Sequence, residues 1–123
     1  MKSLMKCALL AGGMIAAVGC GTSTNPSTPS PTTPAAVSVS IVSGARLLTT
    51  TAYNPNPITV ARGGTVTWTN NDTIAHTATS DGGAFDSGNM APGASFSMTF
   101  PTAGTSTYHC TLHPGMIGTV NVQ

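Results

Sequence analysis

Charge is scarce in this chain. Of its 123 residues only seven are Lys, Arg, Asp or Glu, and no patch of one sign exists to hold nucleic acid or to steer a charged substrate. Long apolar runs are missing too. The apolar run Cys7–Val18 is interrupted by glycine and followed by polar sequence, and it falls short of the roughly 20 residues that a spanning helix requires. No window carries helical periodicity long enough to define a helix. No nucleophile stands beside a base, so no catalytic role is implied. Cysteine is limited to Cys7, Cys20 and Cys110, and the length allows one small domain.

The N-terminus has its own organisation. Two lysines within Met1–Lys6, the short apolar run and the small residues of Ala17-Val18-Gly19-Cys20 form the pattern of a cleaved export signal. The tetrapeptide resembles a bacterial lipobox, with Ala17 where Leu is usual, and the resemblance implies cleavage before Cys20 and acylation of that residue. Residues 1–19 are thus expected to be a lipoprotein signal peptide. Residues 20–36 are Ser, Thr, Pro and Asn with almost nothing apolar, a composition unable to bury a core, and read as a lipid-anchored linker. The chain is expected in the bacterial cell envelope, on the periplasmic or another extracytoplasmic face, attached to the membrane through its N-terminal lipid. Cys7 leaves with the signal and Cys20 is acylated, so Cys110 is the one thiol left to the folded part and no intramolecular disulfide can form. A lone thiol sent to an oxidising compartment is a liability unless something such as a metal occupies it.

Residues 37–123 are written in short alternating segments. Val37–Ile41, Ile58–Val60, Thr65–Thr69, Ala75–Ser80, Ser95–Phe100, Thr105–Cys110 and Ile117–Val122 are separated by Asn-Pro, Gly-Gly, Asp-Gly and Pro-Gly punctuation. The spacing indicates an all-β sandwich. Val66, Trp68, Phe96, Met98, Phe100, Tyr108, Val120 and Val122 are the expected filling between its sheets.

The chemistry sits in Cys110-Thr111-Leu112-His113-Pro114-Gly115-Met116, where a thiolate, an imidazole and a thioether follow one another with two residues between each pair. Two His and one Cys with a weak axial Met is the ligand set of a blue copper site. His76 is the obvious second histidine. His109 competes, but on an extended strand it faces away from its neighbour Cys110. Asn71-Asp72-Thr73 carries an acceptor sequon that means little in a bacterial lipoprotein.

Trp68-Thr69-Asn70 followed by His76, then Gly104–Tyr108 and the whole run from Tyr108 to Gly118, resembles the cupredoxin family of plastocyanin, pseudoazurin and amicyanin. The short interval between His113 and Met116 is most similar to amicyanin. The resemblance covers residues 37–123. It implies a Greek-key β-sandwich holding one copper ion, Cu(I) or Cu(II), on His76, Cys110, His113 and Met116. It further implies an electron port where the His113 ring edge reaches an apolar patch, here Leu112, Pro114 and Gly115 with Met90 and Pro92 as further candidates. A backbone N–H from Thr77 to the Cys110 sulfur is implied as well. Two departures stand out. Thr77 replaces the Asn that in many members ties the two ligand-bearing segments together, and Leu112 stands where Pro is common, retaining an N–H able to reach the same sulfur.

The expectation is a monomeric blue copper protein that shuttles single electrons outside the cytoplasmic membrane and docks redox partner proteins at the patch around His113. The alternative is a lipoprotein that stores or delivers copper. Without the signal, Arg46 and Arg62 face Asp72, Asp81 and Asp86 with no clustering, so docking is expected to depend weakly on salt.

Overall fold

The computed structural model describes residues 32–123. The signal segment, Cys20 and the linker up to residue 31 lie outside the described residues. Eight strands follow in order: β1 (Ala36–Ile41), β2 (Tyr53–Asn54), β3 (Ile58–Val60), β4 (Gly64–Asn70), β5 (Thr79–Ser80), β6 (Ser95–Phe100), β7 (Gly104–His109) and β8 (Ile117–Val122), with one 3-10 turn at Ala45–Leu47.

The strands form two four-stranded sheets, β2-β1-β4-β6 and β3-β8-β7-β5. Both are mixed, because β1 runs parallel to β4 and β3 parallel to β8 while the remaining pairs are antiparallel. The chain changes sheet at each step from β2 to β7, the crossing pattern of a Greek-key sandwich. Pro34 and Ala35 already accept backbone bonds from Ala61 (2.8 Å) and Thr65 (2.8 Å), so the described sandwich takes in residues just before Val37.

Alternation places the side chains. Along β4, Val66, Trp68 and Asn70 point inward, whereas Thr65, Thr67 and Thr69 are half-buried on the outer face. There they meet Thr99, Ser97 and Ser95 of β6 as hydroxyl pairs at 3.0, 2.7 and 2.8 Å. Cross-strand hydroxyl pairs of this kind give the sheet a solvated face without charge.

The core is built on Trp68, which stacks on Phe85 at 5.2 Å and meets Tyr108 edge-on at 5.4 Å. Of the residues expected inside, Val66, Trp68, Phe100, Tyr108, Val120 and Val122 are buried, while Phe96 and Met98 are only partly covered because β6 is an edge strand. Tyr53, Phe85 and Met90 join the core as well. Met90 therefore packs inside and adds nothing to an exposed patch.

The strand expected over residues 75–80 is mostly replaced by side-chain bonding. Only Thr79–Ser80 pairs within a sheet, and His76 forms an isolated bridge to Met90. The cause is local. Asn70 Nδ2 donates to the carbonyls of Ile74 (2.7 Å) and Met90 (2.9 Å), and Ala78 N–H donates to Ser87 Oγ (2.8 Å), bonds that bend the chain out of the ladder.

Candidate metal centre

Cys110 is the first residue beyond β7, and the strand's alternation carries through it: Tyr108 and Cys110 are buried and His109 between them is half-exposed. The chain then closes on itself. Met116 N–H donates to the His113 carbonyl at 2.9 Å, and Cys110 N–H donates to the Met116 carbonyl at 3.1 Å, just before β8 starts at Ile117. One small loop thus presents Cys110, His113 and a fully buried Met116. His76 arrives from far along the sequence, fixed by reciprocal backbone bonds with Met90 at 3.2 and 2.8 Å.

The three donors converge. Cys110 Sγ lies 3.8 Å from Nδ1 of His76 and 3.8 Å from Nδ1 of His113, and the two Nδ1 atoms are 3.2 Å apart. A triangle with those sides has a centre about 2.1 Å from each corner, where metal–imidazole bonds run about 2.0–2.1 Å and metal–thiolate bonds about 2.3 Å. Donor chemistry and spacing therefore fit a single metal ion, and one soft thiolate with two imidazoles suits copper. Among the described residues these are the one group of three or more such side chains close enough to share an ion. Cys110, the one cysteine among the described residues, is buried and unbridged.

Thr77 joins the two halves of the site. Its N–H donates to Cys110 Sγ at 3.3 Å, and its Oγ1 accepts from Thr111 N–H at 2.8 Å and lies 3.2 Å from the Thr111 hydroxyl. The hydroxyl thus makes the tie that the resemblance assigns to an Asn side chain. Tyr53 secures the same residue from behind, donating its O–H to the Thr77 carbonyl at 2.6 Å. Burial first, and then the neighbouring Cys110, holds the Tyr53 phenol well above its usual range, so it stays a donor. The proposed partner bond from Leu112 is absent: among the described residues Thr77 supplies the N–H to this sulfur. Leu112 instead turns outward, 45% exposed, beside exposed Pro114 and Gly115 and half-buried His113.

Asp72 was not anticipated. Its Oδ2 lies 2.8 Å from His76 Nε2 with both side chains buried. An ionised carboxylate only accepts, so His76 donates from Nε2, and in the neutral ring that leaves Nδ1 as the lone pair facing Cys110. The His76 contact, followed by the Gly44 N–H, holds the Asp72 carboxyl far below the ordinary carboxylate range. Three loop residues lie between Asp72 and His76, and no periodicity flags a contact across such a bend. His109 is also less free than a solvent-facing residue. Its Nδ1 pairs with Asp81 Oδ1, on the exposed side of β7 and away from the three donors.

Comparison with known proteins bears on this geometry. Residues 37–123 match the family model of copper binding proteins of the plastocyanin/azurin family. Plastocyanin of Scenedesmus fuscus is 38% identical over 84 residues, covering 58% of this chain and 86% of that one. Amicyanin of Paracoccus denitrificans is 37% identical over 76 residues, covering 58% of each. Among solved structures, a purple cupredoxin from Nitrosopumilus maritimus superposes with a TM-score of 0.65 at 31% identity, covering 71% of this chain and 99% of that one. A copper-containing nitrite reductase from Thermus scotoductus shares the fold at 22% identity over 27% of its own length. The chain belongs to the plastocyanin/azurin family of copper-binding proteins, with copper as its cofactor.

Proposed function

We propose that this protein is a type 1 copper electron carrier that passes single electrons between partner proteins outside the cytoplasmic membrane. In this reading His76, Cys110 and His113 would hold the copper, with the buried Met116 thioether as a fourth, weaker donor. The ion would supply one-electron chemistry between Cu(II) and Cu(I), while the hydrogen bonds to His76, Thr77 and the 110–116 loop hold the donors in place. Lipid on Cys20 anchors the chain, the Ser/Thr/Pro-rich segment that follows tethers it, and the sandwich, entered at Pro34, carries the site.

The observation that carries the proposal is the uneven burial of the donors. Cys110, His76 and Met116 are fully buried, and His113 alone is half-exposed, flanked by Leu112, Pro114 and Gly115. A buried ion with one ligand edge at an apolar surface suits electron passage on contact and leaves no opening for a substrate. This supports a carrier in preference to an enzyme. Reduced charge at that surface supports docking through apolar contact.

The test is to add Cu(II) to the purified protein and record its visible and electron paramagnetic resonance spectra. An intense thiolate-to-copper charge-transfer band with narrow copper hyperfine splitting is expected, and Cys110→Ser should abolish it with the fold retained. A colourless wild-type complex overturns the proposal. Copper held through repeated redox cycles, against release to a chelating acceptor protein, separates a shuttle from a delivery lipoprotein.

A further inference from the structure

Asp72 makes a cage of contacts that packing alone does not require. Its Oδ1 accepts from Gly44 N–H at 3.0 Å and from Thr73 N–H at 2.7 Å, leaving Oδ2 for His76 Nε2 at 2.8 Å. Its own N–H donates to Asn70 Oδ1 at 3.0 Å, and Asn70 is pinned in turn by its bonds to Ile74 and Met90. Asp72 is the one acidic side chain buried among the described residues. A carboxylate withdrawn from water is costly unless its lone pairs are filled, and here the filling partners are two backbone N–H groups and a metal-facing imidazole.

We propose that Asp72 is a positioning residue for the electron-transfer site, one that fixes the tautomer and ring orientation of His76 and sets the reduction potential through it. The inference rests on the copper-carrier reading for its redox part. With Nε2–H committed to Oδ2, His76 presents Nδ1 as a lone pair toward Cys110 Sγ and His113 Nδ1. The carboxylate's negative charge makes that imidazole a stronger donor, which favours Cu(II) over Cu(I) and lowers the potential. His113 has no carboxylate partner among the described residues, so the two histidines are unequal ligands: one is locked from behind and the other free at the surface.

Asp72→Asn separates orientation from fold. The amide keeps its oxygen for Gly44 and Thr73 and turns its NH2 toward His76 Nε2, which then has to accept, so the ring carries its proton on Nδ1 and faces the site with the wrong tautomer. Loss of such outer partners typically weakens metal binding about 10–100-fold. The expected results are a loss of copper affinity in that range by chelator competition, a higher reduction potential in whatever protein remains loaded, and a His76 nitrogen spectrum with Nδ1 protonated. A residue with a merely structural role would shift the melting temperature and leave potential and tautomer alone. If the variant does not fold, nitrogen-15 NMR of metal-free wild type decides the matter: a proton on His76 Nε2, held toward Asp72, is required, and an Nε2 without a proton overturns the proposal. Unchanged affinity and potential in a folded Asp72→Asn protein overturn it too. Wild-type copper colour is the control, since its absence defeats the carrier reading while its presence with an unaltered variant defeats only the role of Asp72.

Discussion

Thr77→Val removes a single oxygen from the residue that bridges the two ligand-bearing segments, and its cost follows from the contacts. Thr77 is fully buried, and its Oγ1 accepts from Thr111 N–H at 2.8 Å and from the Thr79 hydroxyl at 3.0 Å. The Thr79 hydroxyl has a second acceptor in Asp86, so it loses little. Thr111 N–H has no such reserve among the described contacts, and stranding a part-buried donor costs about 1–3 kcal/mol. The valine methyl recovers a fraction by apolar burial, leaving a net loss of about 1–2 kcal/mol, or roughly 5–15 °C in melting temperature for a domain of this size. The Thr77 backbone N–H to Cys110 Sγ survives the change, so the copper colour should persist. The assay is thermal and urea unfolding of metal-free protein, followed by Trp68 fluorescence, with Thr77→Ser as the control that keeps the hydroxyl. A Val variant within about 0.5 kcal/mol of wild type, the range of an ordinary surface change, would refute the bridging role, as would a Ser variant that loses as much as Val.

Other expectations concern the core, acid and the sulfur. Gly118→Ala places a Cβ 2.2 Å from Tyr108 Cζ and 2.5 Å from its oxygen, and overpacking of this kind costs about 1–3 kcal/mol or more; a urea midpoint equal to wild type would show that the ring moves freely. The carboxyls of Asp72 (held by His76, then Gly44) and Asp81 (held by the Thr107 hydroxyl, then His109) lie below the ordinary range. Depressed folded-state values mean that the unfolded chain binds protons first, so stability is intact above about pH 4 and falls as acid is added below it. Urea midpoints of metal-free protein between neutral pH and pH 2 check this, and a flat profile contradicts it. Leu112→Pro deletes an N–H that makes no bond to Cys110 Sγ, so voltammetry of the copper-loaded variant should find the potential unchanged; a lower potential with the colour retained would restore the Leu112 bond.

How much of this was legible depends on the kind of signal each feature leaves. The strand at Ser95–Phe100 and the strand at Ile117–Val122 fall where alternation puts them, because period-two burial is imposed residue by residue on any half-buried strand. Tyr53–Asn54 left no such mark: two residues cannot establish a period, and the pairing with β1 is made in space. Residues 75–80 misled for the opposite reason. Their apolar and hydroxyl composition suits a strand, but Asn70 and Ser87 offer side-chain partners that compete with the ladder. Met90 followed the same logic, since one large apolar residue between Gly88-Asn89 and Ala91-Pro92-Gly93 carries no indication of which way it faces.

The site divides along the same line. Cys110 and His113 announce themselves because a small metal loop demands closely spaced donors of this kind, and the pattern they make with Met116 is rare by chance. The residues that hold those donors in place by hydrogen bonds belong to a different class. Asp72 acts through one carboxylate oxygen, Thr77 through one hydroxyl and one N–H, and Tyr53 through one O–H, and each bond joins segments that only the folded chain brings together. Asp, Thr and Tyr are common, and nothing in their own neighbourhoods distinguishes a residue that holds a ligand from one that holds a turn. Asp72 shows the cost of that ambiguity. Its sequence context suggests an exposed loop, yet Asn70, Gly44 and Thr73 supply the bonds that let a carboxylate sit buried behind His76. The loop after β7 therefore announces the site, whereas His76 and the bonds that orient it are distributed over β2, the turn at Gly44 and the bend after β4, and it takes a closed sandwich to assemble them.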